Sequence, residues 1–119
     1  MKIKFLPDQV IVYEPQKRLH SNPEVSIIIV NWNGKHLLKN CLKSCFNQTF
    51  SQTEVIVVDN NSSDNSLKYL IANYPQVTVV RNPVNVGFGQ AANTAASLAK
   101  GKYLMFLDND AWLHPLTIK

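Results

Sequence analysis

From Val25 onward the chain alternates short β-branched apolar runs with segments of helical period, and each run breaks off into polar residues. Val25-Ser26-Ile27-Ile28-Ile29-Val30 is almost continuously apolar, as expected of a strand covered on both faces. After Asn31-Trp32-Asn33-Gly34, residues 35–46 carry apolar side chains at Leu38, Cys41, Leu42, Cys45 and Phe46 with lysines between them. That is the period of an amphipathic helix. The same reasoning predicts a second strand at 54–58, a helix from Ser66 to Asn73 and a third strand at 77–80. An alanine-rich helix from Gln90 to Lys100, stopped by Gly101 in the C′ position, and a fourth strand at 103–107 complete the pattern. Strands alternating with helices predict an α/β fold, a Rossmann-like, mostly parallel sheet with helices on both faces.

The first 24 residues stand outside this rhythm. Ile3 to Leu6 and Val10 to Tyr13 are spaced to pair as a short hairpin across Pro7-Asp8-Gln9, and 15–23 reads as a connector. Residues 1–24 are therefore taken as an appended N-terminal segment and 25–119 as the domain proper. At the other end, a doubly wound sheet needs a further crossover helix, yet about nine residues follow Asp110. The expectation is a truncated domain.

With 45% hydrophobic residues among 119, the chain can bury a core and is neither a disordered tail nor a low-complexity linker. Its 12 Lys+Arg against 8 Asp+Glu leave a charge of +4, spread along the sequence without the interleaved aromatics of a nucleic-acid stripe. Nucleic acid is not an expected partner. An anionic small molecule, or peripheral contact with an anionic membrane surface, is compatible with that charge. Apolar runs such as Ile27 to Val30 are far too short to span a bilayer, and the first residues lack the apolar core of a signal peptide. The expected location is cytoplasmic, with the inner face of the membrane as the surface available for contact. Cys41 and Cys45 make no disulfide framework and read as two small hydrophobes on one helix face.

In an open α/β sheet, ligands bind at the carboxyl ends of the strands near the point where strand order reverses. Here those ends carry Asn31, then Asp59 and Asn60, then Arg81 and Asn82, then Asp108 and Asp110. In an extended Asp108-Asn109-Asp110 the two carboxylates point the same way and suit a hard divalent ion, magnesium or manganese. Asn85-Val86-Gly87-Phe88-Gly89 opens the third helix with two glycines, which lets a ligand approach its N-terminus. It is not the dinucleotide fingerprint, which belongs after the first strand and has a third glycine. Trp32 is equally consistent with stacking on a base or sugar and with packing at the sheet edge. His20, His36 and His114 are scattered and pair with no nucleophile.

Taken in order, the segments 25–33, 57–64, Asn85-Val86-Gly87-Phe88-Gly89 with Asn93, and Leu107-Asp108-Asn109-Asp110 resemble the donor-binding half of an inverting family 2 glycosyltransferase of the GT-A fold. The resemblance implies transfer of a sugar from a nucleotide-diphosphate sugar to a carbohydrate or lipid-linked acceptor, in polysaccharide or glycoconjugate synthesis. It implies that Val30, Asn31 and Trp32 line the nucleotide pocket and that Asp59 and Asn60 meet the base and ribose. Asn85, Gly87, Phe88 and Asn93 belong by the same resemblance to the loop and helix that close over the nucleotide. The resemblance further implies that Asp108 faces the ribose and the metal, and that of the two metal-site residues, Asp108 and Asp110, Asp110 is the more direct ligand. The ion, Mg or Mn, neutralises the departing diphosphate. Many members have a second acid where this chain has Asn60, and Asp-Asn-Asn-Ser is similar to the rhamnosyltransferase-like branch, which hints at deoxythymidine- or uridine-diphosphate sugars. The family's catalytic base lies beyond the D-x-D motif, so past Lys119, and neither Asp59 nor Asp64 fills that role. The rival readings are a non-catalytic nucleotide- or sugar-binding module and a partner-binding fragment that self-associates through an exposed apolar sheet face.

Overall fold

In the computed structural model, which describes residues 2–18 and 22–118, the first of the long apolar runs lies inside the sheet with a parallel strand on each side. His20 and Lys119 lie outside the described residues. The elements are β1 (Ile3–Phe5), β2 (Ile11–Tyr13), β3 (Val25–Asn31), α1 (Lys35–Phe46), β4 (Thr53–Asp59), α2 (Ser66–Asn73), β5 (Thr78–Arg81), α3 (Phe88–Leu98) and β6 (Tyr103–Asp108). They build a six-stranded sheet in the order β1-β2-β5-β4-β3-β6. β5, β4, β3 and β6 are parallel, and the N-terminal hairpin adds β2 antiparallel to β5.

The continuous apolar character of β3 follows from its two covered faces. Ile27 and Ile29 pack with Val55 and Val57 against Leu38, Cys41, Leu42 and Cys45 of α1 and Leu70 of α2. Ile28 faces the other way with Ile56, Val58 and Val80, against Ala91 and Ala95 of α3. Small side chains on α3 let its backbone approach the sheet closely. The segment after β6 returns over α1: the Gln48 side chain donates to the His114 carbonyl (2.8 Å) and accepts from the Ile118 amide (3.0 Å), with Ile118 buried. Among the described residues no helix is long and apolar enough to cross a membrane.

The structure revises several expectations in detail. The hairpin forms with the register Ile3↔Tyr13, and residues 3–13 thereby join the same sheet as the rest. α3 begins at Phe88 and ends at Leu98, where Ala99 turns extended (φ −66, ψ 139), so Gly101 is not its C′ residue. Gly101 is required instead by close approach, because a Cβ there would stand 2.6 Å from the backbone nitrogen of Ser26. The extended geometry expected through Asp110 stops at Asp108: Asn109 and Asp110 form a turn closed by the Ala111 amide on the Asp108 carbonyl (3.0 Å). β6 is an edge strand among the described residues, with Tyr103, Leu104 and Phe106 exposed.

Candidate functional site

The chain crosses from β3 to β4 to β5 in one direction and then returns to place β6 on the other side of β3. Strand order therefore reverses between β3 and β6, and Val30 stands opposite Asp108 in register. The carboxyl ends of these two strands flank the crevice that such a reversal opens.

Its floor is a chain of short polar side chains held to one another. Asn109 donates its amide to Asn31 Oδ1 (2.9 Å), and Asn31 Nδ2 donates to Asp59 Oδ1 (3.0 Å). The Asp59 carboxylate also accepts the Ser62 hydroxyl (2.6 Å) and the Ser62 amide (3.0 Å). On the other flank Asn82 donates to Asn60 Oδ1 (2.8 Å), and Asn60 Nδ2 donates to the Gly87 carbonyl (3.2 Å). Asn31, Asp59, Asn60 and Asn82 are all buried, at 0 to 2% exposure. Among the described residues no buried side-chain nitrogen or oxygen lacks a partner. A network satisfied in this way is rigid, because the amides of Asn31 and Asn60 are each held on both sides.

The remaining expected site residues sit above that floor. Trp32 is 56% exposed and Phe88 52% exposed, so the packed-core alternative for Trp32 does not hold. Asn85 is exposed and accepts the Gly87 amide (2.9 Å), a bend that uses the positive φ of Gly87 (+84). Asn93 is exposed on α3, and Val30 is half-buried at the end of β3. Asn33 takes a left-handed conformation (φ 51), and its side chain accepts the Ser63 amide (2.7 Å).

Asp108 and Asp110 are both exposed, and among the described residues their carboxylates make no hydrogen bond or ion pair. Asn109 between them turns inward to Asn31. Two unspent carboxylates on a fixed turn fit a hard divalent cation. The described residues contain no cluster of three or more acidic, histidine or cysteine side chains, so this pair would leave further coordination positions to water and ligand.

Sequence reasoning placed Asn82 at a strand end without a partner, and missed Ser62 and Asn109 as parts of the site. Ser62 had a local signal, since an Asp followed three residues later by Ser is a side-chain-capped turn. Asn109 had none, and nothing local revealed the partner of Asn82: the partners of these two lie 78 and 22 residues away. Two groups near the site are structural. Burial opposes ionisation of Asp64, but the Ser66 hydroxyl and the amides of Lys35 and Ser66 outweigh it and hold the carboxyl below its ordinary value. The hydrogen bond shared with Cys41, and then burial, push the Cys45 thiol far up. The same bond pulls the Cys41 thiol down, but both cysteines are buried against the sheet and face no solvent.

Residues 26–119 match the family model described as glycosyl transferase family 2. The chain belongs to that family. Chondroitin synthase of Pasteurella multocida is 34% identical over 117 residues, 96% of this chain and 12% of that protein. Among solved structures, residues 1–349 of TarS from S. aureus in complex with UDP-GlcNAc superpose with a TM-score of 0.71 at 28% identity, covering 77% of this chain and 28% of that one. A mannosyltransferase of Pyrobaculum calidifontis in complex with GDP-Man and Mn2+ gives a TM-score of 0.68 at 25% identity, covering 94% of this chain and 32% of that one. The family 2 chain described here thus has the GT-A type of α/β fold and spans less than a third of each of these relatives.

Proposed function

We propose that this chain is the donor-binding half of a glycosyltransferase. On this reading it holds a nucleotide-diphosphate sugar in the crevice between β3 and β6 for transfer to a carbohydrate or lipid-linked acceptor. The observation that carries the reading is the reversal of strand order at Val30↔Asp108, with a rigid polar floor below and unspent carboxylates at its rim. Trp32, just after β3, and Phe88, at the start of α3, are both exposed and offer apolar faces for a base or sugar. Asp59 and Asn60 are committed within the floor, so their part is to fix the Asn31 side chain and the Gly87 carbonyl that a nucleotide would lie against.

Asp108 and Asp110 are the residues that would hold a magnesium or manganese ion, and a bound ion supplies charge neutralisation for the leaving diphosphate. The turn fixed by Asn109 sets the direction of both carboxylates before any ligand arrives, which lowers the ordering cost of binding. The reading assigns no catalytic base to this chain. The rhamnosyltransferase-like branch rests on the wording of residues 59–62 alone.

The test is calorimetric titration of UDP-, dTDP- and GDP-sugars with and without manganese, on the wild type and Asp110→Ala. Expected is binding of at least one donor that weakens on the order of ten-fold or more when either manganese or Asp110 is removed. Binding indifferent to both, or no binding of any donor, overturns the proposal. Metal-dependent binding with no turnover in any chain extended beyond Lys119 would favour the non-catalytic module instead.

A further inference from the structure

The fold gathers cations that look scattered in the sequence. α1 reads Lys-His-Leu-Leu-Lys-Asn-Cys-Leu-Lys-Ser-Cys-Phe and contains no acidic residue. Its apolar face, Leu38, Cys41, Leu42 and Cys45, is buried against the sheet. Lys35, Lys39 and Lys43 therefore stand together on the exposed face, at positions i, i+4 and i+8, with His36 beside them. They rise in steps of roughly 6 Å and span about 12 Å. The ion pair found among the described residues, Lys4 with Glu14, lies elsewhere, so none of the three lysines is neutralised by a carboxylate in the structure. Asp64, the acid bonded to the start of this helix, spends its oxygens on the amides of Lys35 and Ser66 and on the Ser66 hydroxyl.

Beside the C-terminal end of this stripe lies an open hollow of about 490 Å³ lined by Asn40, Lys43, Asn47, Trp112, Leu113 and Pro115. Trp112 is 73% exposed and Leu116 52% exposed. Trp112 shares the hollow with Lys43, and Leu116 follows Pro115 of the same lining. An indole and an isobutyl group near lysines that no carboxylate neutralises, one of them over the Tyr69 ring, match the chemistry of an anionic lipid–water interface. Lysine stems reach headgroup phosphates while Trp and Leu enter the acyl boundary. A soluble polyanion would use the lysines and leave Leu116 without a role. We propose that the exposed face of α1, with Trp112 and Leu116, is a docking surface for an anionic membrane. This inference stands on the charge and exposure of that face and does not depend on the donor reading.

The test is flotation with vesicles of neutral phosphatidylcholine alone and with added phosphatidylglycerol, for the wild type and a Lys35→Gln, Lys39→Gln, Lys43→Gln variant. All three positions are exposed and outside the core, and circular dichroism checks that the variant keeps its fold. Each lysine near the surface contributes about five-fold in partitioning, so the triple variant loses on the order of a hundred-fold at low salt, and high salt removes most of the wild-type binding. In a Trp32→Phe background the sole remaining indole is Trp112, and its emission shifts to the blue on phosphatidylglycerol vesicles. No binding to anionic vesicles, or binding unchanged in the triple variant, overturns the proposal. Equal affinity for dextran sulfate with no blue shift on vesicles overturns it in favour of a soluble polyanion.

Discussion

Gly34 carries a large consequence for its size, because it is the point where the first strand end and the D-x-D turn touch. It has an ordinary backbone (φ −110, ψ 26), so its need for a missing side chain is one of space. A Cβ at this position would collide with the Asn109 amide nitrogen and would stand 2.6 Å from Asn31 Oδ1. In Gly34→Ala the cheapest relief is to swing out the Asn109 carboxamide, which breaks the 2.9 Å bond to Asn31. Asn31 is fully buried, so its oxygen then lacks a donor, a loss of about 1–3 kcal/mol. For a chain of this length that is a fall in Tm of roughly 3–6 °C per kcal/mol. Freed of Asn109, the turn keeps the Ala111 amide on the Asp108 carbonyl but loses its tie to Asn31, so on the proposed donor reading manganese affinity falls with stability. The decisive measurement is a double-mutant cycle with Asn109→Ala, read by urea denaturation. Removing the Asn109 side chain abolishes most of the collision, so the double variant is less destabilised than the sum of the singles by about 1 kcal/mol or more. A Gly34→Ala variant within about 0.5 kcal/mol of wild type, or strict additivity with Asn109→Ala, refutes the reasoning.

The other glycines supply a matched comparison: a Cβ at Gly101 meets the Ser26 nitrogen at 2.6 Å and the Val25 carbonyl carbon at 2.8 Å, whereas one at Gly89 meets nothing within 4 Å. Gly101→Ala is expected to cost about 1–3 kcal/mol and Gly89→Ala to be neutral or to stabilise α3 by up to ~1 kcal/mol; equal urea midpoints would contradict this. Asp64 ties the start of α1 to the start of α2, and its folded carboxyl ionises below the unfolded value of 3.8. That stabilisation is present in full above the unfolded value and is lost as pH falls through the lower folded value. Thermal midpoints from pH 5 to pH 2 should therefore fall less steeply in Asp64→Asn than in the wild type, and identical slopes would count against the account.

The parts of the fold legible in the sequence were those governed by burial on a fixed period. β3 and β4 are covered on both faces and read as unbroken apolar runs, and α1 shows its buried side at Leu38, Cys41, Leu42 and Cys45. The hairpin was legible as a hairpin, but its attachment to β5 was not, since three-residue strands at a sheet edge carry almost no pattern. Helix ends were misread where the stop is set by tertiary contact. Gly101 resembles a C′ glycine in sequence, yet it is demanded by the proximity of Ser26, 75 residues earlier. The D-x-D motif was placed correctly at a strand end, but the inward turn of Asn109 depends on the vacancy left by Gly34, a contact that no local rule encodes.

The polar floor also explains why position 60 is an amide in this chain. A carboxamide both donates and accepts, so such side chains link head to tail, whereas a carboxylate only accepts and must end a series. One series runs from Asn109 through Asn31 and ends on Asp59, where the Ser62 hydroxyl and amide use the remaining lone pairs. The other runs from Asn82 through Asn60 to the Gly87 carbonyl. An acid at position 60 would still accept from Asn82 but would face the Gly87 carbonyl with a second acceptor, and the loop from Asn85 would lose its tie to β4. The amide at 60 and the particular course of that loop are therefore a matched pair.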